Sequence, residues 1–390
     1  MKISRPFRAT LLLSFAAASS GTLLGGSPAI VPEPAAPARW SLSFSPTWHR
    51  LGDVSLRSRS RSATFGVPPL LPGDSLIVPP VGSENQIADR TYDDGFVNES
   101  AITPVNGMTW YWGYDEATQI SGRDLVFHAT GSRSDYRAGA ADAFRYSNED
   151  DLDGFAPQID LNIYPEQRPF GIASILISMS YTNTDTSFGF SNFRGSQTQR
   201  NFLLNYTDTY DLGAVAPNPP AAPYEGSAGG PGPSIPNKPA HRDIDQQHIG
   251  TDRADYANSI NSDFDMSALS LAIGPTFEGA FGRHWRWQAA VGTTLTLYDY
   301  DAGQSEKLTA TSAGGTKTLR RWHDSDSGTH FGVGLFVRGS VLYELNDGWF
   351  TSAFLQLETG NSFDLDAGPT ATFEVDPNGF SFGVGVGRKF

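Results

Sequence analysis

Residues 380–390 read Phe-Ser-Phe-Gly-Val-Gly-Val-Gly-Arg-Lys-Phe. Phe380, Phe382, Val384 and Val386 recur at every second place, and Phe390 follows them. Ser381, Gly383, Gly385, Gly387 and Lys389 fill the alternate places. Successive side chains of a strand point to opposite faces. The stretch therefore predicts a β-strand with one apolar face and one face of glycine and small polar residues.

The same period recurs seven more times upstream. Trp40, Leu42, Phe44 and Trp48 alternate with Ser41, Ser43, Ser45, Thr47 and His49. Further segments of this kind span 155–164, 173–181, 269–278, 285–297, 331–344 and 349–358. Alternation alone fits a soluble sandwich as well as a membrane barrel, because both have one apolar face. Two features favour the barrel. Aromatics gather at strand ends (Trp40, Trp285, Trp287, Tyr343, Trp349, Phe390), as in an interfacial girdle. The non-apolar face is also rich in Gly, Ser and Thr, where a solvent face would carry more Lys and Glu.

The C-terminal segment resembles the β-signal of Gram-negative outer-membrane barrels, on Phe380, Phe382, Val384, Val386 and the terminal Phe390. Arg388 departs from it, standing where an aromatic or apolar residue is usual. The resemblance implies recognition by the outer-membrane barrel-assembly machinery and a mature protein surrounded by outer-membrane lipids. In architecture the chain resembles the small barrels typified by OmpA and OmpX; no functional site carries over.

Connection lengths fit that topology. Short turns at 165–169, 282–284 and 345–348 alternate with long connections at about 59–153, 193–263, 301–327 and 361–377. Outer-membrane barrels have short periplasmic turns and long extracellular loops. The predicted fold class is all-β, a closed antiparallel up-and-down transmembrane β-barrel of about eight strands. The alternative is ten, with 124–129 and 201–210 as further strands; these are placed instead in ordered loop regions or in extensions above the membrane. More than half of the chain then lies outside the cell. Val215–His241 reads as a disordered Pro/Gly/Ala loop, and the aromatic run Met108–Tyr114 as a cap on the barrel mouth or a binding platform.

The N-terminus adds an export address. Lys2, Arg5 and Arg8 precede the apolar run Ala9–Ala18 and then small residues, the layout of a cleaved signal peptide. The run is too short for a spanning helix, which needs about 20 apolar residues. The expected organisation is a signal peptide over 1–29, a linker over 30–39, and one outer-membrane barrel over 40–390 with large insertions at about 59–153 and 193–263.

Composition excludes several function classes. The 390 residues carry 28 Lys+Arg against 42 Asp+Glu, a net charge of −14, which argues against nucleic acid as a partner. Cysteine is absent, so there is no disulfide, thiolate metal site or cysteine nucleophile. An eight-stranded barrel is just filled by its own side chains. The inward charges Asp160, Glu278, Arg286, Arg338, Glu344, Glu358 and Lys389 therefore need partners, and Glu278 with Arg286 across one short turn is the best pair. These residues are expected to form a structural charge network.

Catalysis has one nominal candidate, the cluster His323, Asp324, Ser325, Asp326 and His330. Neighbours on one strand rarely face each other, and no nucleophile motif surrounds a serine, so no enzyme is expected. Asn148–Gly154 loosely resembles a calcium loop but lacks its bidentate Glu. It reads as a solvated turn. His241 and His248 lack supporting ligands, and no metal or cofactor is expected. The functional expectation is a non-catalytic outer-membrane protein with a plugged lumen, acting in envelope structure, surface binding or adhesion, with any extracellular ligand unknown. The alternatives are porin-like passage of solutes through a barrel of ten or more strands, and a secreted soluble β-sandwich binding protein.

Overall fold

The computed structural model describes residues 38–77, 82–102, 107–166 and 169–390. The expected signal peptide over 1–29 and nearly all of the linker over 30–39 lie outside the described residues. Twelve strands carry the architecture: β1 (Trp40–Ser58), β2 (Asp124–Ala138), β3 (Tyr146–Ile163), β4 (Ser174–Phe190), β5 (Phe193–Asp211), β6 (His241–Ala280), β7 (Trp285–Ser312), β8 (Gly315–Glu344), β9 (Trp349–Gly360), β10 (Phe363–Ala367), β11 (Ala371–Asp376) and β12 (Gly379–Lys389).

Eight of them form a ring in the order β4-β3-β1-β12-β9-β8-β7-β6, closed by β4 pairing with β6. Every pairing is antiparallel, and apart from the β1–β12 closure each neighbour follows the last along the chain. These are the eight segments that alternate in the sequence. Of the two further candidates, 124–129 lies in β2 and 201–210 in β5. Both strands lie outside the ring, in the order β6-β5-β2.

The strands run well past the apolar segments. At about 3.3 Å per residue, the 40 residues of β6 span about 130 Å. The stretch 301–327, expected to be a loop, instead continues β7 and β8 as a hairpin whose ladder runs to Ser312–Gly315. The calcium-like run 148–154 is likewise strand, paired residue for residue with β1 apart from one bulge, and not a turn. The inserted regions between ring strands shrink accordingly. Sequence periodicity misses these extensions because their outward positions turn polar: Asn261, Asp263 and Asp265 on β6, Asp299 and Asp301 on β7.

Away from the short turns the ring parts into two sheets. β3 bonds β4 only from Gln158–Ser180 to Ile163–Ile175, and β8 bonds β9 only as far as Gly334–Gly360. Beyond those points β3-β1-β11-β10 faces β4-β6-β7-β8 across an apolar core. Leu56, Leu152, Leu365, Phe373 and Val375 pack from the first sheet against Phe188, Phe264, Met266 and Tyr298 from the second. Phe373 lies 5.4 Å from Phe264, ring to ring. The connection 361–377 is thus the β10–β11 hairpin, and it closes this end of the ring interior.

A separate aromatic core lies on the outer part of β2 and β5. Trp112, Tyr114, Leu125, Phe127, Tyr206, Tyr210 and Ile235 are buried together there. Met108–Tyr114 therefore builds this lobe and does not cap the ring. Val215–His241 is not a loose loop: Tyr224 pairs with Tyr114, Ile235 pairs with Thr109, and Trp112 Nε1 donates to the Pro233 carbonyl at 2.9 Å.

Candidate functional site

Parity along each ring strand sorts side chains into two environments. The inward set is buried: Ser41, Ser43, Ser45, Thr47 and His49 on β1, and Gln158, Asp160 and Asn162 on β3. The outward set is apolar and uncovered. Phe331, Leu335 and Val384 are 60%, 62% and 63% exposed, and Trp285 and Trp349 stand exposed at the short-turn end. Large apolar patches on a soluble monomer rarely exceed a few hundred Å²; here apolar side chains stand out on all eight ring strands. The belt ends abruptly, because after Leu297 the next outward residues of β7 are Asp299 and Asp301.

At the C-terminal strand Phe382, Val384 and Val386 are outward and exposed. Phe380 and Phe382 lie against Trp48, and Phe390 stacks on Trp40 at 4.1 Å. Arg388 reaches over the Trp349 and Phe390 rings at 5.6 and 5.3 Å, which places its charge at the aromatic edge.

The inward charges fall into three groups. At the short-turn end, Arg286 lies 3.1 Å from Glu278 and 2.7 Å from Glu344, and Lys389 Nζ donates to Glu344 at 2.5 Å. Deeper in, Arg338 donates to both oxygens of Asp160, at 3.0 and 2.6 Å, with both side chains almost fully buried. Gln158 donates to the same carboxylate at 2.8 Å, and the guanidinium sits 3.7 Å over the Phe354 ring. Third, Glu358 accepts from Gln356 at 2.6 Å and faces His49 Nε2 at 3.6 Å. His49 Nδ1 lies 3.0 Å from the Thr182 hydroxyl. Arg338, Asp160, Phe354 and Phe336 fill the middle of the ring, where the space left is about one water in size.

Sequence reasoning missed His49 as a partner for Glu358, although its parity on β1 marks it as inward. It also missed two buried clusters outside the ring. Glu306, on the inward face of β7, accepts from Ser60 Oγ, the Arg61 amide, the Ser62 amide and hydroxyl, and Asn258 Nδ2, at 2.6 to 3.0 Å. Burial pushes this carboxyl up, but the Ser62, Asn258 and Ser60 bonds and the Arg61 amide outweigh it and leave it below its ordinary value. In the outer lobe Asp208 holds Arg242 at 2.5 and 2.6 Å and accepts from Tyr92 at 2.5 Å. Burial raises both neighbouring phenols, Tyr92 strongly and Tyr210 to about 12.

The nominal catalytic cluster is dispersed by the same parity. His323 and Ser325 face out from β8, whereas Asp324, Asp326 and His330 face in. Asp324 is held by Arg61 at 2.9 Å, and His330 stacks on Phe363 at 4.1 Å. His241 pairs with Asp243 at 3.1 Å and His248 with Thr251 at 2.9 Å, so the two histidines do not converge. Among the described residues no group of three or more His, Asp or Glu is arranged to hold a metal ion.

No family model and no curated protein matches the chain. Among solved structures it is similar to a Pseudomonas aeruginosa FadL homologue, at 9% identity over 90% of each chain, with a TM-score of 0.15. It is similar also to outer-membrane expressed OmpT of Vibrio cholerae, at 8% identity over 92% of this chain and 100% of that one, with a TM-score of 0.11. Likenesses this faint fix neither fold nor role.

Proposed function

We propose that the protein is an integral outer-membrane β-barrel with a plugged interior. It is exported by a cleaved signal peptide, inserted by the barrel-assembly machinery, and acts without catalysis in envelope structure or surface binding. The observation that carries this reading is the belt of uncovered apolar side chains around the eight-stranded ring. From Trp40 to Trp48 the belt covers eight steps of strand, about 26 Å along the chain and about 20 Å along the barrel axis after a typical tilt. That is close to the roughly 25 Å apolar band of such barrels. A sandwich in water would bury this face or make it polar.

The filled interior supports a plugged barrel over a porin-like one. The Asp160–Arg338 pair and the Phe336 and Phe354 rings occupy the path, and the β10–β11 hairpin closes the far end. Non-catalytic action is supported by the scattering of the His323–His330 cluster over two strand faces. A surface role is supported by mass: the two-sheet extension and the aromatic lobe stand beyond the belt, where a partner would meet them. The test is heat-modifiability. Protein extracted from outer membranes with detergent should migrate differently on a gel when boiled and unboiled. One mobility throughout, with the protein soluble in periplasm or medium, would overturn the reading.

A further inference from the structure

The β7–β8 hairpin ends in a basic stretch that the rest of the molecule leaves unanswered. Between Lys307 and His323 the chain holds no Asp or Glu, and it carries Lys307, Lys317, Arg320 and Arg321, in a protein whose net charge is −14. All of these cations are exposed, and none has a carboxylate within ion-pair distance among the described residues. By contrast Arg133, Arg242 and Arg253 each have one. Lys307 even stands directly opposite Arg321 across the ladder, a like-charge pair that costs stability. Lys307 lies about 33 Å along β7 beyond Leu297, well clear of the apolar belt.

The same stretch is a bare sheet edge. β8 pairs with β7 as far as Gly315, but its ladder to β9 stops at Gly334–Gly360. β10 and the turn after it stand beside the next part of β8: Phe363 stacks on His330, and a Cβ on Gly368 would come 2.6 Å from Asp324. From Thr316 to His323 the free side of β8 makes no backbone hydrogen bond among the described residues. Alternate residues of such a strand turn their N–H and C=O groups away from the paired neighbour, which makes the edge a template for one more strand. Cations stand on both of its faces. Lys317 and Arg320 share the face of Ala310 and Leu308, and Arg321 shares the face of Lys307.

We propose that this edge docks an extended acidic peptide segment of a partner protein, which adds a strand to β8 and sets its carboxylates beside Lys317, Arg320 and Arg321. The proposal rests on the surface-binding reading. Strand addition draws affinity from the backbone ladder and specificity from alternate side chains. A carboxylate on either face of the added strand meets a cation here, and the basic stretch steers it to a molecule that is acidic elsewhere. Acid sugars or phosphates would meet the same cations but offer no N–H and C=O ladder to the edge. Lysine and arginine on an edge also keep copies of that edge apart. That duty does not explain Lys307, which sits on β7, away from the edge, and opposes Arg321; a carboxylate bound at Arg321 relieves their repulsion.

The test is fluorescence anisotropy of short labelled peptides with the full chain in detergent micelles at low salt. The probes are an alternating Glu/Thr peptide, the same peptide N-methylated throughout, and an alternating Lys/Thr peptide. The Glu/Thr peptide should bind and the Lys/Thr peptide should not. N-methylation removes the ladder donors but no charge, and should weaken binding about tenfold or more. The combined variant Lys317→Ser, Arg320→Ser, Arg321→Ser should weaken it about tenfold, the scale of three exposed ion pairs, while its gel shift stays normal. Equal binding of the methylated peptide, or equal competition by polygalacturonate matched for charge, would make the stretch a general polyanion patch. No binding, or binding unchanged in the variant, would leave the cations only guarding the edge. Each of these results overturns the proposal. Ser312→Cys, in a chain without cysteine, separates the two readings when intact cells are treated with an impermeant maleimide. Labelling without peptide binding refutes this inference alone, whereas no labelling removes the surface reading beneath it.

Discussion

Replacing Asp160 by Asn should destabilise the folded ring far more than replacing Asp160 and Arg338 together. Both side chains are almost fully buried and joined by two hydrogen bonds, at 2.6 and 3.0 Å. Removing one member of such a pair leaves a charge without compensation, at a cost of about 3–5 kcal/mol. Replacing both with uncharged residues of similar size is often near neutral. Phe354 under the guanidinium keeps its contact with Arg338 when Asp160 is changed and loses it when Arg338 is changed, so it does not offset the cost of either single variant. Asp160→Asn and Arg338→Met should therefore each cost about 3–5 kcal/mol, and the double variant about 0–1 kcal/mol. The assay is urea unfolding of detergent-refolded protein, followed by tryptophan fluorescence and by loss of the unboiled gel band. Two singles that each cost under 0.5 kcal/mol and add in the double would refute the reasoning. So would a double variant as unstable as the sum of the singles.

Three further outcomes follow from the same geometry. Glu306 has a folded pKa below its unfolded value, so its contribution is complete above the unfolded pKa and is lost as pH falls through the folded one. Segment 59–66 should accordingly resist a protease near neutral pH and be cut in acid, and Glu306→Ala should be cut at both; protection that does not change with pH would contradict this. Phe373→Ala should cost about 3–5 kcal/mol through a cavity between the two outer sheets, seen as proteolysis of the β10–β11 hairpin while the gel shift persists. Val384→Arg puts a charge on the apolar belt, where the cost is about 2–4 kcal/mol near mid-membrane; assembled protein in outer-membrane fractions should fall sharply, whereas Ser352→Ala on the inward face of β9 should leave insertion unchanged.

The ring strands were legible because their outward positions are apolar and their inward positions small. Phe380, Phe382, Val384 and Val386 against Ser381, Gly383 and Gly385 already carry that code. The code stops being readable where the outward side meets water. Asp299 and Asp301 keep the period of β7, but with polar residues outside and a mixed interior the stretch looks like a loop. Glu306 has the parity of an inward residue, yet that matters only once β7 is known to continue to Ser312. The lobe around Trp112 was hidden for a different reason. Its core joins short pieces from about 90–128 to 204–235, and no local period announces such distant partners. The interior pairs needed three-dimensional depth: parity marked Asp160 and Arg338 as inward, but only the ring brings residues 178 positions apart to 2.6 Å.

The central claim is that the apolar belt faces lipid. It is tested most directly by tryptophan quenching in vesicles whose acyl chains carry bromine near the headgroup. Trp40, Trp48, Trp285, Trp287 and Trp349 lie on the belt, whereas Trp110, Trp112 and Trp322 lie beyond it. The expected result is strong quenching of the wild type, most of it lost when the five belt tryptophans are replaced by Phe and little changed when the other three are. Quenching no greater than that of a soluble protein mixed with the same vesicles would contradict the claim.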